Sequence, residues 1–365
     1  MKKRVLLGMS GGVDSSASAI LLKKAGYDVI GCTMKLWNTD EKAIKDAKKV
    51  CEKLQIPHYI IDCEKEFTCK EIDNFINEYQ KAKTPNPCVQ CNKYIKFGEF
   101  YKKAQELECD FMATGHYARI EYSNKYNQYV LRKSKEEKKD QTYFLYTISP
   151  EKIEHILFPL QDYIDKQDTR KIAEENQLEV AQKKDSQEIC FIPNNNYQDF
   201  LVNNMNLKPT QGKIVLKTGE VLGKHNGLIN YTIGQRKGLG VSYKEPLYVI
   251  KLDKTNNQVV VGKEEDLYSK ELRATDINWT IKEVKENIEK GKEIECYAKI
   301  RYRAKEAKAI IKKLNIVCTD KKNSKDIEKT IIAVEFLEPQ RAITPGQSVV
   351  FYDDDGIVLG GGVIM

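Results

Sequence analysis

The chain has 365 residues, 31% of them charged and 41% hydrophobic, with a formal net charge of +7. That length exceeds what one core usually spans, so two or three domains are expected. No apolar run approaches a membrane span, and the polar stretch Gly8 to Ser16 excludes a secretory signal, so a cytoplasmic address is expected. The positive balance permits a polyanionic partner without requiring one. Ten cysteines with no secretory signal read as reduced thiols, and with only four histidines a zinc site would have to be thiolate-rich.

Val5-Leu6-Leu7 reads as a first strand and Ala17 to Lys24 as a helix, with Met9-Ser10-Gly11-Gly12-Val13-Asp14-Ser15-Ser16 turning between them. Residues 27–34 read as a second strand. From Glu41 to Leu54, apolar residues recur at Ala43, Ala47, Val50, Cys51 and Leu54, the spacing of a helix with one buried stripe. His58 to Asp62 reads as a third strand, and Glu64 to Ala82 as a helix with Phe67, Phe75, Ile76 and Tyr79 in the core. Thr84-Pro85-Asn86-Pro87 breaks it, and a further helix is expected from about Lys93 to Leu107. Asp110 to Ala113 is a strand ending at Thr114-Gly115-His116. Strands alternating with helices imply an α/β fold with a doubly wound parallel sheet. Its ligands bind at the carboxyl ends of the strands, where the loops after Gly8, Thr33 and Ala113 lie.

Residues 119–132 read as a hairpin, Ser134 to Asp140 as a solvated charge run, and 150–157 and 168–181 as helices. Near residue 195 the composition changes. Short β-like runs alternate with glycine turns to about Glu265. From about Leu272, strand runs such as Glu295 to Arg303, Ala307 to Leu314, Thr330 to Leu337 and Gln347 to Tyr352 suggest a barrel, with Thr319 to Asp326 as an exposed turn. The expected division is 1–195 for the α/β domain, 196–270 for a small β-rich central domain and 271–365 for a C-terminal β-barrel.

Two adjacent glycines at Gly11 and Gly12 let the backbone turn tightly, and the N–H groups of the following helix make an anion site. The loop is neither G-x-x-x-x-G-K-[ST] nor G-x-G-x-x-G, and its missing lysine argues against γ-phosphoryl transfer. Ser10-Gly11-Gly12-Val13-Asp14-Ser15 resembles the pyrophosphate (PP) loop of the ATP pyrophosphatases, which split ATP between the α- and β-phosphates and put AMP on a substrate oxygen. Asp14 would then hold Mg²⁺ beside the pyrophosphate.

Cys88-Val89-Gln90-Cys91 is compatible with a zinc half-site, a redox dithiol, part of an iron–sulfur cluster or chance. The prolines place it in a loop before a helix, where a helix N-terminus lowers a thiol pKa. Cys190, alone, reads as a buried cysteine beside Phe191. Taken together, longer strings are more specific. Thr84 to Asn92, Ala113-Thr114-Gly115-His116-Tyr117-Ala118-Arg119, Lys139-Asp140-Gln141-Thr142-Tyr143 and Asp185-Ser186-Gln187-Glu188-Ile189-Cys190-Phe191 resemble the bacterial tRNA-specific 2-thiouridylase family. So do residues 230–240, Arg301-Tyr302-Arg303 and Thr344-Pro345-Gly346-Gln347-Ser348, in the family's order over nearly the whole chain.

That resemblance implies ATP-dependent 2-thiolation of the tRNA wobble uridine at position 34, giving 2-thiouridine, AMP and pyrophosphate. ATP would lie on Gly8, Met9, Ser10, Gly11, Gly12, Val13, Asp14 and Ser15, with Met34 at the adenine and Gly115 beside the nucleotide. Cys91 takes the place of the nucleophile and Cys190 that of the persulfide, and the family can join the two in a disulfide. Asn86, Pro87 and Cys88 match the segment that meets the target base. His116, Lys139, Asp140, Gln141, Arg301, Tyr302 and Gln347 match tRNA contacts. Some members have an acid/base aspartate where Cys88 stands. Cys88, Cys91 and Cys190 form an alternative ligand set for a [4Fe–4S] cluster. Expected partners are tRNA isoacceptors for lysine, glutamate and glutamine, and a cysteine desulfurase or sulfur-relay protein as donor, with no membrane.

Overall fold

The computed structural model describes residues 2–39, 41–163, 166–183, 189–192, 196–204, 209–319 and 326–365. Residues 185–188 of one recognised string, the composition change at 195 and the turn expected between 319 and 326 lie outside the described residues.

Strand β1 (Arg4–Gly8) is buried from Val5 onward and feeds α1 (Val13–Lys24) through the glycine turn. β2 (Asp28–Lys35), α2 (Glu41–Lys53) and β3 (His58–Asp62) follow. Next come α3 (Glu64–Phe67), a π-helical segment Thr68–Ile72 and α4 (Asp73–Gln80), continuous as the apolar spacing predicts. α5 (Pro87–Cys91) runs through a second π-helical segment, Asn92–Glu99, into α6 (Phe100–Glu106). This helix begins earlier than expected. Pro87 occupies its first turn, where a missing N–H costs nothing, so the proline that ends one element opens the next.

β4 (Phe111–Ala113), the hairpin β5 (Arg119–Ser123) and β6 (Gln128–Arg132), the short α7 (Pro150–Ile153) and β7 (Ile156–Leu157) complete the domain's strands. The sheet order is β3-β2-β1-β4-β7, with every pair parallel. Residues 150–157, expected as one helix, are thus a single turn and then an edge strand that pairs with Met112 and Ala113. α8 (Lys166–Glu175) packs on α1. The strand order reverses between β1 and β4, so the loops after Gly8 and Ala113 diverge there and leave a crevice.

α9 (Tyr197–Asn204), unforeseen in an asparagine-rich stretch, buries Phe200 and Leu201. A four-stranded sheet follows: β8 (Gly212–Leu216), β9 (Val221–His225), β10 (Tyr248–Asp253) and β11 (Gln258–Gly262), in the order β10-β11-β8-β9. The last element is a closed antiparallel barrel, as the strand spacing predicts. Its members are β12 (Tyr268–Trp279), β13 (Ile294–Lys299), β14 (Ala307–Thr319), β15 (Asp326–Arg341), β16 (Ser348–Tyr352) and β17 (Val358–Ile364), with α10 (Lys282–Glu289) between the first two. Closure removes the exposed edges an open sheet would leave.

The barrel and the α/β domain share one core. Val350, Tyr352 and Val358 pack in the same apolar cluster as Phe97, Tyr143 and Ile156. Polar ties reinforce it. The Tyr143 hydroxyl donates to the Ser348 carbonyl at 2.9 Å, and Asn278 Nδ2 donates to the carbonyls of Tyr146 (2.7 Å) and Ile148 (3.0 Å).

Candidate active site

The crevice at the strand reversal holds the glycine turn. Met9 N donates to Cys32 O at 2.8 Å, which prolongs the β1–β2 pairing by one residue. Gly11 then turns with φ +68°, and a Cβ there would lie 2.4 Å from the Ala43 carbonyl oxygen, so only glycine fits. The Gly12 carbonyl accepts from Ser16 N (3.3 Å), Ser15 Oγ (3.2 Å) and Ser16 Oγ (2.8 Å), while Ser10 N donates to Ser15 Oγ at 3.3 Å. The serines fix the turn, and the amide groups of the first turn of α1, with the helix dipole, suit an anion.

The loop after β4 closes the other side. A Cβ on Gly115 would come within 3.1 Å of the Asp14 carbonyl carbon and 3.2 Å of Ser15 N, so its bare backbone lets the two loops touch. Asp14 Oδ1 accepts from the Tyr117 hydroxyl at 2.9 Å and from Thr169 Oγ1 at 3.4 Å. A bound divalent ion would find this one anchored carboxylate beside the anion site. A cation from far along the chain braces the turn. Lys183 Nζ donates to Gly11 O at 3.0 Å and Asp46 Oδ2 at 2.9 Å. Arg170 steadies that segment through the carbonyls of Ala181 (3.2 Å) and Lys183 (3.1 Å). Contiguous sequence carries no signal for this long-range cation.

Met34 leads from this half of the site to the other. Its methyl lies 3.7 Å from where a Cβ on Gly8 would sit, and it packs against both the sheet core and the cluster that contains Cys91. Cys88 and Cys91 stand on the first turn of α5, Cys88 exposed and Cys91 buried. Cys190 comes from the segment at 189–192. Phe191 anchors that segment in the same cluster, edge-on to Phe67 (5.6 Å), Phe75 (5.5 Å) and Phe200 (5.3 Å).

The three sulfurs lie within electrostatic reach of one another, and all three are free thiols. Their surroundings protonate them. Burial pushes the Cys91 thiol well up, Cys190 to about 11, and Cys88 up as well; the nearby Lys96 cation opposes this at each. Cys88 and Cys190 open to solvent as residues, yet neighbouring atoms crowd their sulfurs. This corrects the expectation of a helix-activated thiolate: desolvation outweighs the dipole. Among the described residues, no group of three or more His, Cys, Asp or Glu is arranged to hold a metal ion. The three cysteines as placed do not fit the alternative [4Fe–4S] cluster.

Two further groups face the sulfurs, and neither was foreseen. Glu71, in the first π-helical segment, is 1% exposed, and neither carboxylate oxygen has a hydrogen-bond partner among the described residues. Burial raises its carboxyl to about 9. A signal for it existed: Glu71 falls midway between the core residues Phe67 and Phe75, on the apolar face of the predicted helix. Lys96, in the second π-helical segment, points its Nζ at His116 Nε2, 3.4 Å away. Burial and Lys96 hold His116 well below the usual imidazole range, so the ring is neutral, accepts at Nε2 and donates from Nδ1 to Thr114 Oγ1 at 2.7 Å.

The residues expected to meet tRNA fall into two groups. One holds loops within the α/β domain. His116 and Asp140 are buried; Asp140 accepts from Ser134 N (3.0 Å) and Thr142 Oγ1 (2.6 Å), which corrects the expectation of a wholly solvated run over 134–140. Gln141 Oε1 accepts from Tyr117 N at 2.9 Å, and Lys139 Nζ sits 5.0 Å over the Tyr117 ring. The other group spans the barrel junction. Gln347 Nε2 donates to the carbonyls of Thr84 (2.9 Å) and Pro85 (3.3 Å), just ahead of Asn86 and Pro87. Asn86 hydrogen-bonds Tyr143, Arg301 donates to Arg341 O at 2.7 Å, and Tyr302 packs on Phe144 at 4.5 Å.

Comparisons with known proteins agree with this layout. The family model described as tRNA methyl transferase HUP domain matches residues 3–194, the tRNA methyl transferase PRC-barrel domain 198–263, and the aminomethyltransferase beta-barrel domain 269–364. The chain is 46% identical over 375 residues to the tRNA-specific 2-thiouridylase MnmA of Clostridioides difficile, covering 100% of this chain and 98% of that protein. It is 48% identical over 378 residues to tRNA-specific 2-thiouridylase MnmA 2 of Thermoanaerobacter pseudethanolicus, with 100% and 98% covered. It is 46% identical over 376 residues to the tRNA-specific 2-thiouridylase MnmA of Clostridium beijerinckii, with 100% and 99% covered. A glycine turn built for an anion, a cysteine set across the same crevice and full-length identity at this level have one reading: the chain belongs to the tRNA-specific 2-thiouridylase family.

Proposed function

We infer that the chain is an ATP-dependent tRNA-uridine 2-sulfurtransferase that converts the wobble uridine to 2-thiouridine, releasing AMP and pyrophosphate. The observation that supports its chemistry most directly is the meeting of Cys91 and Cys190, distant in sequence, beside the crevice that holds the glycine turn.

The C2 oxygen of uracil is a poor leaving group, and adenylation turns it into AMP, splitting one hard step into two easier ones. In this reading residues 8–15 cradle the phosphates, Met34 lines the adenine, Gly115 lets the nucleotide approach, and Lys183 offsets phosphate charge. Asp14 would hold Mg²⁺, which supplies charge neutralisation as pyrophosphate departs. Cys190 carries the incoming sulfur as a persulfide. Its terminal sulfur attacks C2 and expels AMP. Cys91 then attacks the Cys190 sulfur, which frees the thiolated base and leaves a Cys91–Cys190 disulfide for an external thiol to reduce.

Asn86, Pro87 and Cys88 meet the base, which must leave the anticodon stack. His116, Asp140 and Gln141 shape that wall from inside, while Lys139, Arg301, Tyr302 and Gln347 approach the RNA. The exposed Arg236 is a stacking candidate. The sulfur donor is a cysteine desulfurase or relay protein, and the substrates are lysine, glutamate and glutamine isoacceptors. A cytoplasmic site of action fits a chain whose described residues include no helix long and apolar enough to cross a membrane. The division at 195/196 and 270/271 belongs to the same reading.

The test is incubation with unmodified tRNA, ATP, Mg²⁺ and a persulfide donor, followed by nucleoside analysis. 2-Thiouridine is expected; none, with the donor shown to be active, overturns the reading.

A further inference from the structure

Two π-helical segments flank the sulfurs. In Thr68–Ile72 the Asp73 amide reaches back to the Thr68 carbonyl, and in Asn92–Glu99 the Phe100 amide reaches back to Ile95, five residues in each case. Such segments widen a helix by one residue and recur at functional sites. The first packs against α5, which carries Cys88 and Cys91, and brings Glu71 inward. The charged and titratable groups that act on the three sulfurs from the surrounding elements are Glu71 and Lys96.

Glu71 is an expensive residue in this place. Its carboxyl is buried, both oxygens lack hydrogen-bond partners among the described residues, and Phe67, Ile72 and Phe75 of the apolar cluster lie on its own helix. A hydrocarbon side chain of similar volume would stabilise the fold more. The expense falls where the sulfur chemistry needs a proton carrier. Position 88 carries a thiol and no carboxylate.

We propose that Glu71 is the proton relay of the sulfur-release step, taking the Cys91 proton on one carboxyl oxygen and giving one from the other toward the thiolated base. This rests on the sulfurtransferase reading above and deepens it. The step balances as follows. The S–H bond of Cys91 breaks and its proton goes to Glu71. The sulfur electron pair of Cys91 forms the bond to the Cys190 sulfur. The bond between Cys190 and the transferred sulfur breaks, and its electron pair stays on the transferred sulfur. Glu71 returns a proton, which ends on N3 of the base. The cysteine pair is oxidised by two electrons, the sulfane sulfur is reduced by two, and the external thiol later resets the disulfide. A neutral carboxyl with both oxygens unengaged can give and take in one motion without placing a charge in an apolar site.

The experiment uses the full chain with its persulfide loaded and unmodified tRNA. Single-turnover AMP transfer to tRNA and 2-thiouridine formation are followed separately in Glu71→Gln, Glu71→Asp and Glu71→Leu. Glu71→Gln keeps shape and polarity but relays no proton. It is expected to adenylate tRNA and release AMP at the parent rate and to form free 2-thiouridine at least about 100-fold more slowly, so that tRNA joined to Cys190 through the transferred sulfur accumulates. Glu71→Asp is expected to recover part of the rate, with its pH profile displaced from the parent's. Glu71→Leu is expected to melt at or above the parent temperature while thiolating no faster than Glu71→Gln. Thiolation by Glu71→Gln within about threefold of the parent overturns the relay, as does equal loss of both half-reactions in a well-folded Glu71→Leu. A parent enzyme that forms no 2-thiouridine overturns the broader reading instead, so the two failures are distinguishable.

Discussion

The two halves of the crevice are built on opposite principles. The nucleotide half centres on one contiguous turn whose polar groups have partners: serine hydroxyls bind the Gly12 carbonyl, and Tyr117 and Thr169 bind Asp14. The sulfur half draws on Glu71, Cys88, Cys91, Lys96 and Cys190 from three separate segments, buries Glu71 and Cys91 beside phenylalanines, and leaves a carboxyl without hydrogen-bond partners among the described residues. Phosphate recognition needs fixed donors, which a backbone provides at little cost. Sulfur transfer needs groups that change protonation and bonding during turnover, and a dry, crowded site holds them in neutral forms until then.

If the halves divide the labour this way, a lesion in one should spare the other. The largest effect is expected from Cys190→Ser: no 2-thiouridine by nucleoside analysis, with ATP and tRNA affinities retained in titration. Normal turnover would remove Cys190 from the chemistry. The mirror lesion is Gly11→Ala. A left-handed residue with a Cβ costs roughly 1–2 kcal/mol before the contact with Ala43 is counted, so ATP binding should weaken tenfold or more. Alkylation of Cys190 should be unchanged, and a parallel loss of both would mean that the halves are not separable.

A smaller effect sharpens the electrostatic side. Lys96 lowers all three thiols. Lys96→Met should therefore raise them further and slow iodoacetamide capture of Cys190 at pH 9 by several-fold, with the alkylation profile moved to higher pH. An unchanged profile would place the cation elsewhere in solution.

The smallest effect concerns stability and pH. An unfolded Glu71 ionises near 4.5, whereas in the fold burial holds it protonated to about 9. Between those values the folded chain keeps a proton that the unfolded chain has lost. The stabilising bias is complete below about 4.5 and is lost as pH rises through about 9. Denaturant titrations across that window should show a downward slope that Glu71→Gln flattens.

What could be read from the sequence follows the same divide. The α/β alternation was visible because β1, α2 and β4 carry unbroken periodic signals, and the glycine turn because its chemistry sits in adjacent residues. β7 was hidden: two residues, Ile156 and Leu157, carry no period, and only their pairing with β4 makes them a strand. The start of α5 was hidden because Pro87 ends and begins elements with the same ring. Lys183 and Glu71 were hidden for a deeper reason. Each acts on residues far away in sequence, and a single glutamate between lysine and isoleucine resembles any surface position until the Phe67–Phe75 face is drawn through it.

The loop that leads into the cysteine helix is held at both sides by the barrel: Thr84 N donates to Pro345 O at 2.9 Å, and Gln347 donates to the carbonyls of Thr84 and Pro85. The start of α5 is therefore referenced to the C-terminal domain as much as to its own sheet. A chain cut before the barrel would lose more than one domain. It would uncover the apolar faces that Val350, Tyr352 and Val358 fill and release the anchor from which Cys88 and Cys91 take their position. The C-terminal domain is thus one of the supports that set where the cysteine helix begins.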